Sequence, residues 1–144
     1  MNKIISAFPG TGKSYMYNKN MFSSKHIILD SDSSKFDKSN FPDNYIEHIK
    51  EWKDKASIIF VSSHDTVRKA LVENNIKFDL VYPDRSLKYD YINRYVKRGN
   101  DKKFIELLIE NWDTWITEME SQSGCTHVVL QKGQYISDIY EPIN

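Results

Sequence analysis

The chain has one cysteine, Cys125, among 144 residues. A lone thiol excludes an intrachain disulfide and a zinc site built on several cysteines, and it suits a reducing cytoplasm. An excess of either sign of charge is missing too. Twenty basic and 20 acidic residues give a formal net charge of zero, so no overall field gathers a long nucleic acid. A small-molecule partner is favoured, with nucleic acid second, although charge remains free to concentrate locally. No apolar run approaches the roughly 20 residues that cross a bilayer, and mean hydropathy is −0.61, so no membrane partner is expected. Met1-Asn2-Lys3 leads straight into an apolar stretch, unlike a secretory leader. Four prolines and five glycines in the whole chain leave no linker-like tract, and repeats and low-complexity segments are absent. The expectation is one domain, 1–144, with only small insertions.

Function-bearing residues begin at once. Ile4-Ile5 runs into Ser6-Ala7-Phe8-Pro9-Gly10-Thr11-Gly12-Lys13-Ser14, the order strand, glycine-rich turn, helix. The phosphate-binding loop pattern is Gly, four residues, Gly, Lys, then Ser or Thr. Gly12, Lys13 and Ser14 satisfy it, and Ala7 stands where the first glycine is expected. Gly10 and Gly12 let the backbone curl so that successive N–H groups meet phosphate oxygens at the positive end of a helix. Pro9, Gly10, Thr11, Gly12, Lys13, Ser14 and Tyr15 are therefore the candidate ATP-binding residues. Lys13 reaches the outer phosphates, and Ser14 holds Mg²⁺.

Five apolar runs of strand length follow one another: Lys3 to Ala7, His26 to Leu29, Ser57 to Val61, Phe78 to Tyr82 and His127 to Leu130. They are β-branched and nearly continuous rather than alternating, which predicts parallel strands covered on both faces, an α/β fold. Helical spacing appears after Pro42 (Tyr45, Ile46, Ile49, Trp52) and after Ser63 (Val67, Ala70, Leu71), where Ser62 and Asp65 form a capping-box pattern. The longest helix is expected from about Lys102 to Glu120, with Phe104, Leu108, Trp112, Trp115 and Met119 as a core stripe.

The second run ends in Asp30-Ser31-Asp32, two acids at the strand edge where parallel sheets bind ligands. Phosphoryl transfer to an alcohol needs one carboxylate to take the hydroxyl proton and gains from another beside Mg²⁺. Asp32 is assigned to the proton and Asp30 to the metal; the reverse stays open. Lys35 and Phe36 follow as acceptor contacts. The third run leads into Ser62-Ser63-His64 with no acid, unlike many nucleotide hydrolases, so the metal depends on Ser14, the nucleotide and Asp30. His64 is a candidate acceptor contact, although such a residue more often caps a helix. Arg68, on the next helix, is a candidate contact to substrate phosphate, although an exposed helix arginine is the simpler reading. After the fourth run, seven Lys or Arg from Arg85 to Lys103 stand against Asp84, Asp90 and Asp101. Arg94 and Arg98 share a helix face four residues apart. With Arg85 they are candidates for stabilising charge on a transferred phosphoryl group, carried on a lid, 85–100, that hinges at Gly99-Asn100.

Together the loop AFPGTGKS, the acids in LDSDSS, the run FVSSH and the stretch YPDRSLKYDYINRYVKRG resemble small P-loop kinases of bacteriophages and prophages of Gram-positive bacteria. More broadly they look like the nucleoside monophosphate kinase superfamily, whose relatives include shikimate, gluconate and polynucleotide kinases. The resemblance implies a five-stranded parallel sheet of order 2-3-1-4-5, a short arginine-bearing lid, and ATP and Mg²⁺ as cofactors. It implies roles for Lys13, Ser14, Asp30, Asp32, Arg85, Arg94 and Arg98, and an adenine contact at Gln131 to Tyr135. The acid pair most resembles shikimate kinase, yet that family's other acceptor signatures are missing, as is the long acceptor insertion of adenylate kinase. The implied activity is an ATP phosphotransferase acting on a nucleoside or (deoxy)nucleoside monophosphate. The alternatives are a kinase of DNA or RNA hydroxyls and a non-catalytic nucleotide-binding regulator.

Overall fold

A computed structural model of the protein describes residues 3–20, 27–31 and 36–140. Strands and helices alternate: β1 (Lys3–Ala7), α1 (Lys13–Asn20), β2 (Ile28–Asp30), α2 (Asp43–Trp52), β3 (Ile58–Val61), α3 (Asp65–Glu73), β4 (Asp79–Pro83), α4 (Lys88–Lys97), α5 (Lys102–Glu120), β5 (Thr126–Leu130) and α6 (Ile136–Ile139). A 3₁₀ turn, Arg85–Leu87, joins β4 to α4. The sheet is parallel throughout, in the order β2-β3-β1-β4-β5. The expected strand positions hold to within one residue, except that β2 begins at Ile28 and takes in Asp30 as its last residue. His26 lies outside the described residues.

Alternation along each strand divides the core in two. Ile4, Ile59 and Leu80 face α2, α3, α4 and α5, where Tyr45, Leu71, Tyr91 and Trp112 are buried. Their neighbours Ile5, Phe60 and Val81 face α1 and α6, meeting Met16 and Ile136. Each such side chain contributes about 1.5–3 kcal/mol by leaving water, so the central strands read as uninterrupted apolar runs because both faces are covered. This sheet order places β1 between β3 and β4, and successive connections leave it in opposite directions. A crevice therefore opens at the carboxyl ends of β1, β3 and β4.

Two local expectations change. Ser62 and Asp65 form no capping box: α3 is preceded by His64 without a side-chain cap, and Ser62 Oγ instead accepts from the His64 N–H at 3.2 Å. On α5 the deeply buried stripe is Leu108, Trp112, Ile116 and Met119, whereas Phe104 and Trp115 are half-buried and line the crevice. Asp101 caps this helix by accepting from the Phe104 N–H at 2.7 Å. Gly99, at φ +76°, ends α4 with its N–H on the Val96 carbonyl while that of Asn100 bonds Tyr95, a glycine C-cap.

Candidate active site

The loop between β1 and α1 is laced to its surroundings through its carbonyls. Phe8 O accepts from Thr11 Oγ1 at 2.8 Å, Pro9 O from Tyr95 Oη at 2.8 Å, and Gly10 O from Arg94 Nη1 at 2.8 Å. Thr11 O accepts from the Ile136 N–H at 2.8 Å, and Gly12 O from the Met16 N–H at 3.1 Å. Five successive engaged carbonyls fix the curl of the loop, and inward N–H groups on such a curl are what an anion requires; the Phe8 N–H is spent on the Val81 carbonyl at 2.9 Å. Gly10 and Gly12 adopt φ +87° and +97°. A Cβ on Gly10 would stand 2.8 Å from Tyr95 Cε1, so α4 packs where only glycine fits. Ala7 is a strand residue in register with Val81 and needs no positive φ, which accounts for alanine in the first glycine position.

Lys13 Nζ stands 3.2 Å from Asp30 Oδ1, with the two side chains 37% and 30% exposed. The end of β2 that carries Asp30 is pinned by its neighbour. Ser31 is buried, its N–H donates to Phe60 O at 2.9 Å, and its carbonyl accepts from Tyr45 Oη at 2.6 Å. The same Tyr45 oxygen accepts from the Ser62 N–H at 3.3 Å, so one buried tyrosine ties the ends of β2 and β3 together. Ser31 Oγ also lies 2.8 Å from His48 Nε2. Asp32 and Lys35 lie outside the described residues. Phe36 packs edge-on against Tyr45 and His48 rather than facing the crevice.

Together these groups border a cleft of about 1130 Å³. Its floor is the loop, with Pro9, Gly10, Gly12, Lys13, Ser14 and Tyr15 on its surface and Asp30 beside them. Thr11 is fully buried beneath. One wall is the apolar side of α5, with Phe104, Leu108, Trp115 and Met119; another is the start of α3, with His64, Asp65 and Arg68. Arg68 is 4% exposed, which overturns its reading as an exposed helix arginine.

The three candidate arginines part company. Arg98 and its neighbour Lys97 are exposed on the cleft rim. Arg94 lines the cleft but is committed to the loop: besides Gly10 it donates to Gln134 O at 3.3 Å. Its guanidinium carbon is 4.3 Å from the centre of the Tyr91 ring and 4.0 Å from that of Tyr135. Arg85 is not brought to the cleft. It is held by α5, through Glu120 at 2.7 Å, Thr117 at 2.6 Å and Asp113 at 3.3 Å, and these carboxylates raise its pKa. The lid reading of 85–100 also meets a packed helix: Tyr91 and Tyr95 on α4 are fully buried. Burial pushes the Tyr91 phenol up to about 12 against the opposing pull of Arg94. It pushes Tyr95 up as well, with Tyr91 adding to the shift.

Sequence reasoning passes over Tyr91 and Tyr95, reads Tyr45 only as a position on a helix face, and gives Tyr135 no role beyond the segment expected near adenine. The first two carry a signal, since Tyr91, Arg94, Tyr95 and Arg98 recur at spacings of three and four on α4. Tyr135 lies in the segment expected near adenine; its ring covers Gly12, where an added Cβ would be 3.0 Å from Tyr135 Cδ1. Among the described residues no three His, Cys, Asp or Glu side chains gather to hold a metal by themselves. Ser14 and Asp30, which both line the cleft floor, offer the oxygen ligands of a hard cation that keeps several ligands from water or phosphate.

No family model and no curated protein matches the chain. Among solved structures it is similar to the YorR protein of Bacillus subtilis, crystallised in complex with phosphorylated GDP. The identity is 20% over 94% of this chain and 88% of that one, with a TM-score of 0.56. It is also similar to a gluconokinase from Sinorhizobium meliloti, at 13% identity over 96% of this chain and 86% of that one, with a TM-score of 0.52. At these identities the likeness is one of fold, the P-loop kinase-like α/β fold with sheet order 2-3-1-4-5. No helix among the described residues is long and apolar enough to cross a membrane.

Proposed function

We propose that the chain is a single-domain, cytoplasmic kinase that transfers the terminal phosphoryl group of ATP, with Mg²⁺, to a nucleoside or (deoxy)nucleoside monophosphate, in the nucleotide metabolism of a phage-infected cell. The observation that carries this reading is the 3.2 Å contact of Lys13 with Asp30 on the laced loop. It sets the phosphate-binding lysine beside a carboxylate on the acceptor side of one cleft. Incoming phosphates compete for Nζ and release the carboxylate towards metal and acceptor. Loop amides from Gly10 to Ser14 bind and align the phosphates; Lys13 follows charge onto the transferring group. Ser14 and Asp30 would hold Mg²⁺, which would supply further charge neutralisation when bound. Asp32 accepts the acceptor proton, and Arg98, with Lys97 beside it, turns inward over the phosphates. The half-buried Phe104 and Trp115 offer an apolar wall to a flat base, and the nucleotide in the YorR crystal supports that class of ligand.

Incubating the protein with labelled ATP, Mg²⁺ and a panel of nucleosides, nucleotides, sugar acids and oligonucleotides tests the reading. Label on a nucleoside or its monophosphate is expected. Label on an oligonucleotide alone would establish the second reading, a DNA or RNA kinase, which the exposed Lys97 and Arg98 on the rim favour. Tight ATP binding without transfer to any acceptor would make the protein a nucleotide-binding regulator.

A further inference from the structure

Arg68 is the buried charge that the proposed transfer leaves unused. It stands one turn into α3, is 4% exposed, and lines the cleft that holds Lys13 and Asp30. Its fixed partners are neutral: Nε donates to the Ser63 carbonyl at 2.9 Å and Nη1 to Gln122 Oε1 at 2.8 Å. The carboxylate paired with Nη2, Glu118 Oε2, is 4.0 Å away, outside hydrogen-bond reach. That side chain is 51% exposed, so water screens it. Withdrawal from water lowers the Arg68 pKa, and the opposing pull of Asp65, Glu118 and Cys125 does not offset it. A guanidinium removed from water without a carboxylate in bonding contact is costly to the fold. Linking Ser63 to Gln122 requires two donors but no charge. The charge is explained by an anion that meets Nη2 from the cleft, since guanidinium suits the oxygens of phosphate and carboxylate.

We infer that Arg68 Nη2 is an oxyanion subsite on the acceptor side of the cleft, receiving a phosphate-monoester or carboxylate oxygen that the acceptor already carries. Its service to an acceptor rests on the kinase reading; the anion site does not. Trp115 and Met119 line the same cleft, so the favoured ligand joins an apolar body to an anionic group.

The test fills the loop's own anion site with AMP-PNP and Mg²⁺, then titrates inorganic phosphate, with acetate as the carboxylate arm. Calorimetry and the side-chain Nε–Hε resonance of Arg68 in ¹⁵N-arginine-labelled protein are followed together. Saturable movement of that resonance is expected. Arg68→Gln should weaken phosphate binding about tenfold to a hundredfold, the size of one charge-assisted hydrogen bond, and leave AMP-PNP affinity unchanged. Gln122→Ala, which removes a partner of Arg68 but keeps its charge, should hold phosphate affinity within about threefold. If Arg68→Gln does not fold, the wild-type resonance and Gln122→Ala still decide. A resonance unmoved by both anions, or equal phosphate affinity in Arg68→Gln, overturns the subsite and makes Arg68 a structural tether. Failure of AMP-PNP to bind would sink the kinase reading instead, and the Arg68 titration can be read without it.

Discussion

Arg94→Ala should damage the loop before it damages chemistry. The substitution removes the 2.8 Å bond to the Gly10 carbonyl, the longer 3.3 Å bond to Gln134, and the contacts with the Tyr91 and Tyr135 rings. A hydrogen bond from a charged donor contributes about 1.5–3 kcal/mol, and a cation over a ring about 0.5–1 kcal/mol at the exposed Tyr135 and up to about 2 kcal/mol at the buried Tyr91. These contacts share one side chain and do not add fully, so a net loss of about 2–3 kcal/mol is expected, roughly 6–12 °C in Tm for a chain of this size. With the Gly10 carbonyl released and Tyr135 unpinned, the loop loses its prepared shape, and ATP affinity should fall about tenfold. Arg94→Lys should not rescue, because an ammonium lacks the planar fork that bonds Gly10 and lies against two rings. Arg98→Ala is the contrasting variant. Its side chain is exposed on the rim, so Tm should stay within about 2 °C while kcat falls at least tenfold. Differential scanning fluorimetry, ATP-binding calorimetry and steady-state kinetics separate the two. If Arg94→Ala keeps its Tm and loses kcat as Arg98→Ala does, Arg94 is a phosphate ligand and the clamp argument fails.

Lys13→Ala should leave the fold intact, since the lost Asp30 contact is between partly exposed groups and is worth under about 1 kcal/mol. Retention of more than about a tenth of kcat/KM would leave Lys13 less than about 1.4 kcal/mol of transition-state stabilisation, too little for its role. Asp30→Asn should shift the Mg²⁺ dependence of turnover and Asp32→Asn the chemical rate; Mg²⁺ titrations of both variants check this, and wild-type behaviour in both would remove the pair from the mechanism. Stability should decline above about pH 10, because Tyr91, raised to about 12, and Tyr95 and Tyr140, also raised, hold protons that the unfolded chain has lost. The unfolded state then binds fewer protons, so unfolding free energy falls as pH rises, and it is fully retained below the ordinary tyrosine pKa. Urea titrations from pH 8 to 11 measure it; a flat profile would show that these phenols are not held neutral.

The loop and the strands were legible because their signals are local. A phosphate-binding turn is a matter of consecutive residues, and strands buried on both faces announce themselves as continuous apolar runs. The Lys13 and Asp30 partnership was half legible: both residues stand out, but their contact depends on β3 lying between β1 and β2. The arginines divide on the same ground. Spacing places Arg94 and Arg98 on one helix face, yet it does not reveal that Arg94 reaches back 84 residues to Gly10 while Arg85 turns to Glu120. Arg68 reads as a surface residue because helical periodicity records only its own helix, and its burial comes from Gln122 and the cleft wall.

By itself, then, the amino-acid order determined an α/β chain with a phosphate-binding turn after the first strand, acids after the second and basic residues after the fourth. Those features follow from backbone freedom at Gly10 and Gly12, from β-branched apolar runs, and from residues near one another in sequence. Only the tertiary structure decided which charges meet. Parallel strands joined by crossover helices bring the ends of β1, β2 and β3 to one edge, and there Tyr45, Tyr95 and Arg94 find main-chain partners far away in sequence. A charged side chain takes its role from the dielectric and the partners around it, and both are properties of packing.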